Sequence, residues 1–356
     1  MNRIDTFLEL VVKQGGSDLH LVSGNPPRVR LFGDLHPVKY RELRTDETAA
    51  LISETMNETL RRTFASRHSL DYAYDAAGLA RFRVNAFQHL GGLGAVFRTI
   101  PTAIKALDDL AMPPVVKSFC KQRRGLVLVA GPTGSGKSTT LAAMVDFINQ
   151  ERREHIITIE DPVEFVHPRK QCLISQREIG VHAESFAVAL RSSLREDPNV
   201  VLVGELRDLE TIGLAVTAAE TGILVLATLH TNGAATTVDR MVNVFPAGEQ
   251  PLIRSMLSTS LCGVVSQQLV RRADGKGRLA AVEVLVNNAA AANIIREGKT
   301  ELLASVIQAG ALVGMQSLDN ALRHLVDAKL ITGGEAYRKA ANKATFAQFR
   351  EEDEEA

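Results

Sequence analysis

A glycine-rich octapeptide after a short apolar run constrains the fold of this chain more than any other feature. The run "GLVLVAG" leads into "GPTGSGKS", residues 131–138, which matches the pattern GxxxxGK[ST] and opens the helical stretch "STTLAAMVDFI". A strand, a glycine-rich loop and a helix in this order predict a P-loop, because glycines let backbone N–H groups turn towards a phosphate at the helix N-terminus. The sequence therefore predicts an α/β core that binds a nucleotide.

The residues of this loop have separate expected roles. Lys137 would neutralise the terminal phosphates, and the hydroxyl of Ser138 would reach Mg²⁺. The expected cofactors are therefore ATP and Mg²⁺. The other loop residues expected to contact the nucleotide are Gly131, Thr133, Gly134, Ser135, Gly136 and Thr139.

Three further apolar runs end in charged or polar side chains. "HIITIED" precedes Glu164, "NVVLVG" precedes Glu205, and "ILVLATL" precedes His230. Short apolar runs separated by helical segments are typical of parallel strands buried on both faces. Since ligands bind beyond the carboxyl ends of such strands, we expect these side chains at the edge that carries the P-loop.

Each of these side chains has a catalytic and a structural interpretation. A carboxylate such as Glu164 near the phosphates can orient or deprotonate the attacking water, and Glu205 occupies the position of a Walker B acid that reaches Mg²⁺. His230 would sense the γ-phosphate and pass its state to a neighbouring element. Solvated loop carboxylates and a structural histidine are the alternatives.

The first hundred residues have a different pattern, that of an α+β domain. Apolar spacing predicts a helix that stops at Gly15, then strands, including a hairpin around Gly33, and one helical stretch over 46–67. Two or three further strands follow, with turns at glycines. In the middle one, Arg81 and Arg83 lie on the polar face.

The predicted domain boundaries follow from these changes in pattern. An N-terminal α+β domain occupies 1–100, and a proline-bracketed linker occupies 101–114. The ATPase domain with C-terminal helices occupies 115–345. The acidic tail at 346–356 is predicted to be disordered.

Composition limits the classes of function. Lys plus Arg and Asp plus Glu both number 41, so no overall field attracts nucleic acid. The three cysteines are scattered, which favours a reducing compartment and supplies no four-cysteine zinc site. No apolar run approaches the ~20 residues that span a bilayer, and the N-terminus lacks a signal-peptide pattern, so a cytoplasmic location is expected.

The chain resembles the type IV pilus retraction ATPases of the PilT and PilU kind, in the secretion ATPase superfamily. The resemblance is carried by "KQGGSDLHL", "ARFRVNAF", "GPTGSGKSTTLAAM", "IEDPVEFVH", "LREDPNVVLVGELRD", "TLHTNGAATTVDR" and "GMQSLDNAL". It implies a PAS-like domain joined to a RecA-like ATPase domain, in a hexameric ring that pulls pilin subunits out of the pilus base. It also implies attachment to the inner membrane through a PilC-like platform protein, with related retraction ATPases as further partners.

The resemblance also implies residue roles. Glu164 would be the general base, Glu205 the Walker B glutamate and His230 the His-box residue. The arginines implied to contact the nucleotide or a neighbouring subunit are Arg81, Arg83, Arg98 and Arg195.

Two departures from the family pattern bear on the choice of function. Ile223 stands where the His box usually begins with a histidine, and "AAAN" at 290–293 replaces "AIRN". They leave open an accessory ring of the PilU kind, with weak hydrolysis, that assists a dedicated motor. Retraction is favoured over pilus assembly because assembly relatives carry a four-cysteine zinc insertion, and a nucleic-acid translocase is disfavoured by the neutral charge.

Overall fold

The chain divides into two units in the computed structural model, which describes residues 2–31, 34–100 and 103–350. The first unit is formed by the described residues of Met1–Ala103 and by Pro162–Val166, and the second by those of Ile104–Asp161 and His167–Ala356. The predicted hairpin tip at Gly33 lies outside the described residues. So does the end of the predicted acidic tail.

The first unit contains a six-stranded antiparallel sheet. Its helices and strands are α1 (Asp5–Lys13), β1 (Asp18–Val22), β2 (Arg28–Leu31), β3 (Asp34–Pro37), α2 (Thr45–Ser53), α3 (Glu58–Arg67), β4 (Ser69–Ala76), β5 (Ala80–His89) and β6 (Gly92–Ile100). The strand order is β3-β2-β1-β6-β5-β4. A PAS-like topology for this unit stays a prediction.

Alternation along β5 separates a buried face from a polar one. Phe82 and Val84 are fully buried, whereas Arg81 and Arg83, which alternate with them, are partly exposed, as the sequence predicts. The single helical stretch predicted over 46–67 is wrong, because the structure has two helices there. Asn57 causes the break, since its side chain accepts a hydrogen bond from the N–H of Leu60 (2.9 Å) and starts α3.

The second unit alternates strands and helices. Its strands are β7 (Gly125–Ala130), β8 (His155–Glu160), β9 (Leu173–Glu178), β10 (Val200–Val203), β11 (Leu224–Leu229), β12 (Leu261–Arg271) and β13 (Arg278–Val286). Its helices are α4 (Pro114–Cys120), α5 (Lys137–Glu151), α6 (Phe186–Ser193), α7 (Leu209–Glu220), α8 (Ala234–Asn243), α9 (Gln250–Ser260), α10 (Ala289–Glu297), α11 (Leu303–Ala309), α12 (Leu318–Asp327) and α13 (Gly333–Lys339), with 3₁₀ segments at Thr300–Leu302, Ala311–Val313 and Lys343–Phe349.

These strands form one seven-stranded sheet in the order β13-β12-β7-β11-β10-β8-β9. All neighbours run parallel except β12 and β13. The predicted α/β core with a mostly parallel sheet is therefore confirmed. Because β7, β11, β10 and β8 are consecutive, the four strand ends singled out in the sequence meet at one edge.

Apolar cores cover both faces of this sheet. Leu128 of β7 shares one core with Val238 of α8, and Val127 shares the other with Met144 of α5. The strands are consequently buried on both faces, as their nearly continuous apolar runs predict. No helix among the described residues is both long and apolar enough to cross a membrane.

The packing extends past two of the predicted boundaries. Leu107 and Met112, within the predicted linker, are buried in the core beside α5. At the other end, Phe346 of the last 3₁₀ segment is buried against α12 and α13 residues such as Leu322 and Ala336, so ordered structure continues beyond 345. Apolar side chains inside polar-looking segments explain both differences.

Candidate nucleotide-binding site

The P-loop adopts a backbone that favours glycine at three positions. Gly131 has φ +145°, Gly134 has φ +77° and Gly136 has φ +88°. A Cβ at Gly131 would lie only 2.3 Å from the backbone oxygen of Gln267 and 2.6 Å from the hydroxyl of Ser135. Any side chain there would push the loop away from strand β12.

The start of α5 is suited to an anion. The helix begins at Lys137, and its N-cap, Gly136, provides no side-chain hydrogen bond to the first N–H groups. The hydroxyl of Ser135 is buried and has no hydrogen-bond partner among the described residues. Unsatisfied donors at the positive end of a helix dipole fit a nucleotide phosphate.

Lys137 is held inside the loop by backbone oxygens. Its Nζ donates to the carbonyls of Gly131 (2.8 Å) and Pro132 (3.1 Å), and the residue is only 8% exposed. The same atom lies 3.5 Å from Nδ1 of His230. The ammonium group is thus fixed at the mouth of the phosphate loop.

His230 follows β11 and connects the P-loop with the end of β10. Its Nδ1 lies 3.3 Å from the hydroxyl of Thr133, and its Nε2 lies 3.4 Å from Oε1 of Glu205. The side chain is 41% exposed. The structure therefore brings together three predicted site residues, Lys137, Glu205 and His230.

The threonines around His230 align the two strand ends. Thr228 donates its hydroxyl to the carbonyl of Gly204, and its own carbonyl accepts from the N–H of Leu206 (3.0 Å). Beyond the histidine, the hydroxyls of Thr231 and Thr237 form a hydrogen bond (2.8 Å). The polar cluster after this apolar strand thus positions the histidine between β10 and α8.

Glu205 pairs with Arg207, a residue that the sequence analysis missed. Arg207 Nη2 lies 2.7 Å from Oε2 of Glu205. Burial acts to raise the pKa of Glu205, but the hydrogen bond and charge of Arg207, with the charges of His230 and Lys137, outweigh it and lower that pKa. The sequence feature that could have indicated this pair is the arginine two residues after the Walker B glutamate in "GELRD".

The carboxylates at the end of β8 and just after it belong to different units. Glu160 accepts a hydrogen bond from the hydroxyl of Thr158 (2.7 Å), and Asp161 contributes to the raised pKa of Arg207, behind the larger effect of Glu205. Glu164 is exposed and lies in the Pro162–Val166 segment, which packs with the first unit. Its role as general base stays a prediction.

Arg98 is anchored by a nearly buried aspartate. Asp18 of β1 has Arg98 and Arg30 as its cross-strand neighbours, and its side chain is 5% exposed. Nε of Arg98 lies 2.9 Å and Nε of Arg30 lies 3.7 Å from the carboxylate. Burial acts to raise the pKa of Asp18, but the hydrogen bonds from Ser17 and Arg98 outweigh it and lower that pKa.

The other predicted arginines have varied surroundings. Arg81 and Arg83 project from β5, and Nε of Arg83 lies 3.8 Å from Asp71. Arg195 is exposed just after α6, where its guanidinium donates to the carbonyl of Arg191 (3.3 Å). Their contacts with a nucleotide or a neighbouring subunit stay predictions.

The two departures from the family pattern lie away from the P-loop edge. Ile223 immediately precedes β11, so the length of this strand separates it from His230 by about 20 Å. Its side chain packs against the apolar core instead of facing the nucleotide loops. Residues 290–293 belong to α10, where Ala291 is buried and Asn293 is exposed and donates to Glu297 (2.9 Å).

Comparison with known proteins identifies the family. The Type II/IV secretion system protein family matches residues 2–313. Over 343 residues the chain is 51% identical to the type IV pilus retraction ATPase PilT of Pseudomonas aeruginosa, with 96% of this chain and 99% of that protein covered. The chain belongs to the type IV pilus retraction ATPases. The P-loop described above is accordingly that of an ATPase.

Two further comparisons place this retraction ATPase within its family. It is 42% identical over 336 residues to the type IV pilus ATPase PilU of P. aeruginosa, covering 94% of this chain and 88% of that protein. A crystal structure of the pilus retraction motor PilT with bound ADP superimposes with a TM-score of 0.91 at 40% identity, covering 98% of this chain and 99% of the other. The resemblance found in the sequence is confirmed.

Proposed function

We propose that this chain is a motor that hydrolyses ATP to drive type IV pilus retraction and, through it, twitching motility. The observation that carries the proposal is the convergence of Lys137, His230 and Glu205 at the P-loop edge of a parallel sheet. The higher identity to PilT (51%) than to PilU (42%) favours the motor over an accessory ring.

ATP with Mg²⁺ would occupy the P-loop. The ADP bound in the related PilT crystal structure and the glycine geometry of Gly131 and Gly136 support a nucleotide here. Ser138 and Glu205 would hold the metal together with phosphate oxygens, since Mg²⁺ is usually bound by one or two side chains plus substrate phosphates. The cofactor supplies the phosphoanhydride bond that is cleaved.

The side chains of the chain itself position the reactants. Glu164 would orient and deprotonate the attacking water, and Lys137 would neutralise charge on the phosphates. His230, placed between Thr133 and Glu205, would report the γ-phosphate to α8. Further positive charge would come from Arg81, Arg83, Arg98 and Arg195, because developing phosphate charge needs compensation.

The working assembly would be a homohexamer with a PAS-like domain at 1–100, a linker at 101–114 and a RecA-like ATPase domain at 115–345. It would lie in the cytoplasm against the inner membrane and act on a PilC-like platform protein. The name and full-length coverage of the PilT relative support a place in the pilus machinery. No nucleic-acid partner is proposed.

Phosphate release from ATP and Mg²⁺ by the purified hexamer-sized fraction tests this function. Steady turnover by the wild type should fall at least about hundredfold in Glu164→Gln, because the base is lost while the shape is retained. Glu151→Gln is the matched control, because Glu151 lies at the far end of α5, about 20 Å from the loop. ATP binding without turnover in the wild type would support the accessory ring instead.

A further inference from the structure

Strand β12 carries a buried amide that contacts the P-loop at several points. The side chain of Gln267 donates through Nε2 to the carbonyl of Ser135 (2.7 Å) and accepts through Oε1 from the hydroxyl of Thr140 in α5 (2.9 Å). The residue is 1% exposed. One side chain thus joins the middle of the P-loop to the first turns of the helix that follows it.

The backbone of the same residue limits the shape of the loop. Its carbonyl oxygen occupies the space next to Gly131, where a Cβ would approach to 2.3 Å, and its Nε2 lies 3.2 Å from the place of a Cβ on Gly136. The β12–β7 register ends at Ser266 opposite Ala130, so Gln267 runs directly beside the start of the loop. Two of the three positive-φ glycines of the P-loop, Gly131 and Gly136, therefore face Gln267.

The preceding residue supports the loop after His230. Ser266 accepts at its hydroxyl the N–H of Gly233 (2.9 Å), just before α8 begins. Its cross-strand partner, Glu283 of β13, accepts the N–H of Ala234 (2.7 Å). The start of α8 is thus held by two acceptors on the β12–β13 hairpin.

Strand geometry explains why neighbouring residues support different loops. Successive side chains of a strand point to opposite faces of the sheet. Val265 is buried in the core beside α5, and Val264 is buried in the core beside α8. Gln267 therefore shares the α5 face and Ser266 the α8 face. Strand β12 is paired on both sides, with β7 and β13, which makes it a rigid support.

We propose that Ser266 and Gln267 form a two-sided clamp that sets the spacing of the two nucleotide-facing loops. Gln267 is a positioning residue for nucleotide binding, because it holds the P-loop open for the phosphates. Ser266 is a positioning residue for turnover, because it holds the loop that places His230 beside Glu205. Only the role of Ser266 in turnover rests on the proposed function.

Steady-state kinetics of the full-length chain, with ADP affinity measured by calorimetry, test the clamp. In Gln267→Leu the KM for ATP and the Kd for ADP should rise about tenfold while kcat changes less than about twofold, since only binding interactions are lost. In Ser266→Ala kcat should fall about fivefold with KM within about twofold. The matched control is Gln268→Leu, the same replacement one residue along the strand, which should leave all three values unchanged.

A second variant tests the contact between Gln267 and α5 from the helix side. Thr140→Val removes the hydroxyl bonded to Gln267 and retains the volume, so the KM for ATP should rise about threefold. The double variant Gln267→Leu/Thr140→Val should bind ATP no more weakly than Gln267→Leu, because Gln267→Leu already removes the hydrogen bond to Thr140.

A purely structural role would give a different pattern. If Gln267→Leu and Ser266→Ala both lower kcat in proportion to the folded fraction in thermal unfolding, with KM unchanged, the clamp is overturned. Unaltered ADP affinity in Gln267→Leu overturns it as well. A wild type that binds ADP without hydrolysing ATP contradicts the proposed function. In that case the ADP affinity of Gln267→Leu still tests the role of Gln267 in nucleotide binding.

Discussion

The two units fix their cationic side chains in different ways. Lys137 in the second unit is 8% exposed and bonded to two carbonyls of its own loop, within six residues of itself. Arg98 in the first unit has a side chain that is 67% exposed and depends on Asp18, 80 residues away in the chain. One charge is placed by local backbone geometry and the other by a single carboxylate on a neighbouring strand.

The two placements differ in how easily a substitution disturbs them. A backbone carbonyl cannot be removed by a side-chain substitution, so the position of Lys137 changes only if the loop itself changes. The position of Arg98 can be released by altering one residue in another strand. We therefore expect a substitution at Asp18 to affect the first unit by releasing Arg98, and a substitution at Lys137 to affect ATP hydrolysis directly.

The largest expected effect is the loss of the P-loop ammonium group. Lys137→Ala should lower ATP hydrolysis at least about hundredfold, because it removes the ammonium group that the carbonyls of Gly131 and Pro132 fix at the mouth of the phosphate loop. Phosphate release measures it. Lys121→Ala is the control, since this exposed lysine precedes β7 at the opposite edge of the sheet. A residual rate within tenfold of the wild type would show that this ammonium group is not essential for hydrolysis.

Arg207 tests whether a cation of the second unit supports catalysis through its ion pair with Glu205. Arg207→Gln should reduce kcat roughly tenfold and move the acid limb of the pH–rate profile to higher pH, because the interaction that lowers the pKa of Glu205 is lost while its burial remains. Profiles from pH 4 to 8 check this. Arg124→Gln at the far edge should match the wild type, and an unmoved acid limb would contradict the pairing.

Asp18 tests the anchoring of Arg98. Asp18→Asn should lower the free energy of unfolding by about 1–2 kcal/mol at pH 7, because the nearly buried carboxylate bonded to Arg98 and Ser17 is lost. Asp71→Asn, in an exposed pair with Arg83, should cost less than about 0.5 kcal/mol. Urea unfolding of both variants measures the difference.

The pH dependence of the Asp18 effect has a definite sign. Its folded-state pKa is lowered, so the stabilisation is complete well above the ordinary value of 3.8 and declines as pH falls through the lower folded value. The gap between wild type and Asp18→Asn should therefore be constant from pH 7 to about 5 and shrink below about pH 4. A gap that widens on acidification would show that the carboxylate is not stabilised by its arginine.

The smallest expected effect concerns Ile223. Ile223→His should leave ATP hydrolysis within about twofold of the wild type, since this position precedes β11 at the edge opposite the P-loop. Hydrolysis rates measured per folded protein, with thermal unfolding alongside, provide the check. A severalfold gain in rate would mean that the imidazole acts across the sheet.

The sequence predicted the parts of the site whose positions depend on local pattern. Lys137, Glu205 and His230 each follow an apolar run that predicts a strand. Because parallel strands end at the same edge of a sheet, the sequence places these three residues together. Residues that act across strands were missed. Gln267 lies 132 residues from its bonding partner Ser135, and Asp18 lies 80 residues from Arg98, so only the strand order brings them together.

The remaining differences come from short segments in which single residues decide the structure. The cap at Asn57 splits a predicted helix, and the buried side chains of Leu107 and Phe346 draw predicted linker and tail residues into the cores. Segment 162–166 packs with the first unit although the chain on either side of it belongs to the second. Apolar periodicity over a longer window averages out such local features.

Whether this ATPase is a retraction motor can be measured by deleting its gene in the organism that makes it and scoring twitching on a surface. We expect twitching to be lost, the wild-type gene to restore it, and a Lys137→Ala gene to fail to restore it. Twitching that persists after the deletion, or that the Lys137→Ala gene restores fully, would contradict the assignment of this ATPase as a retraction motor.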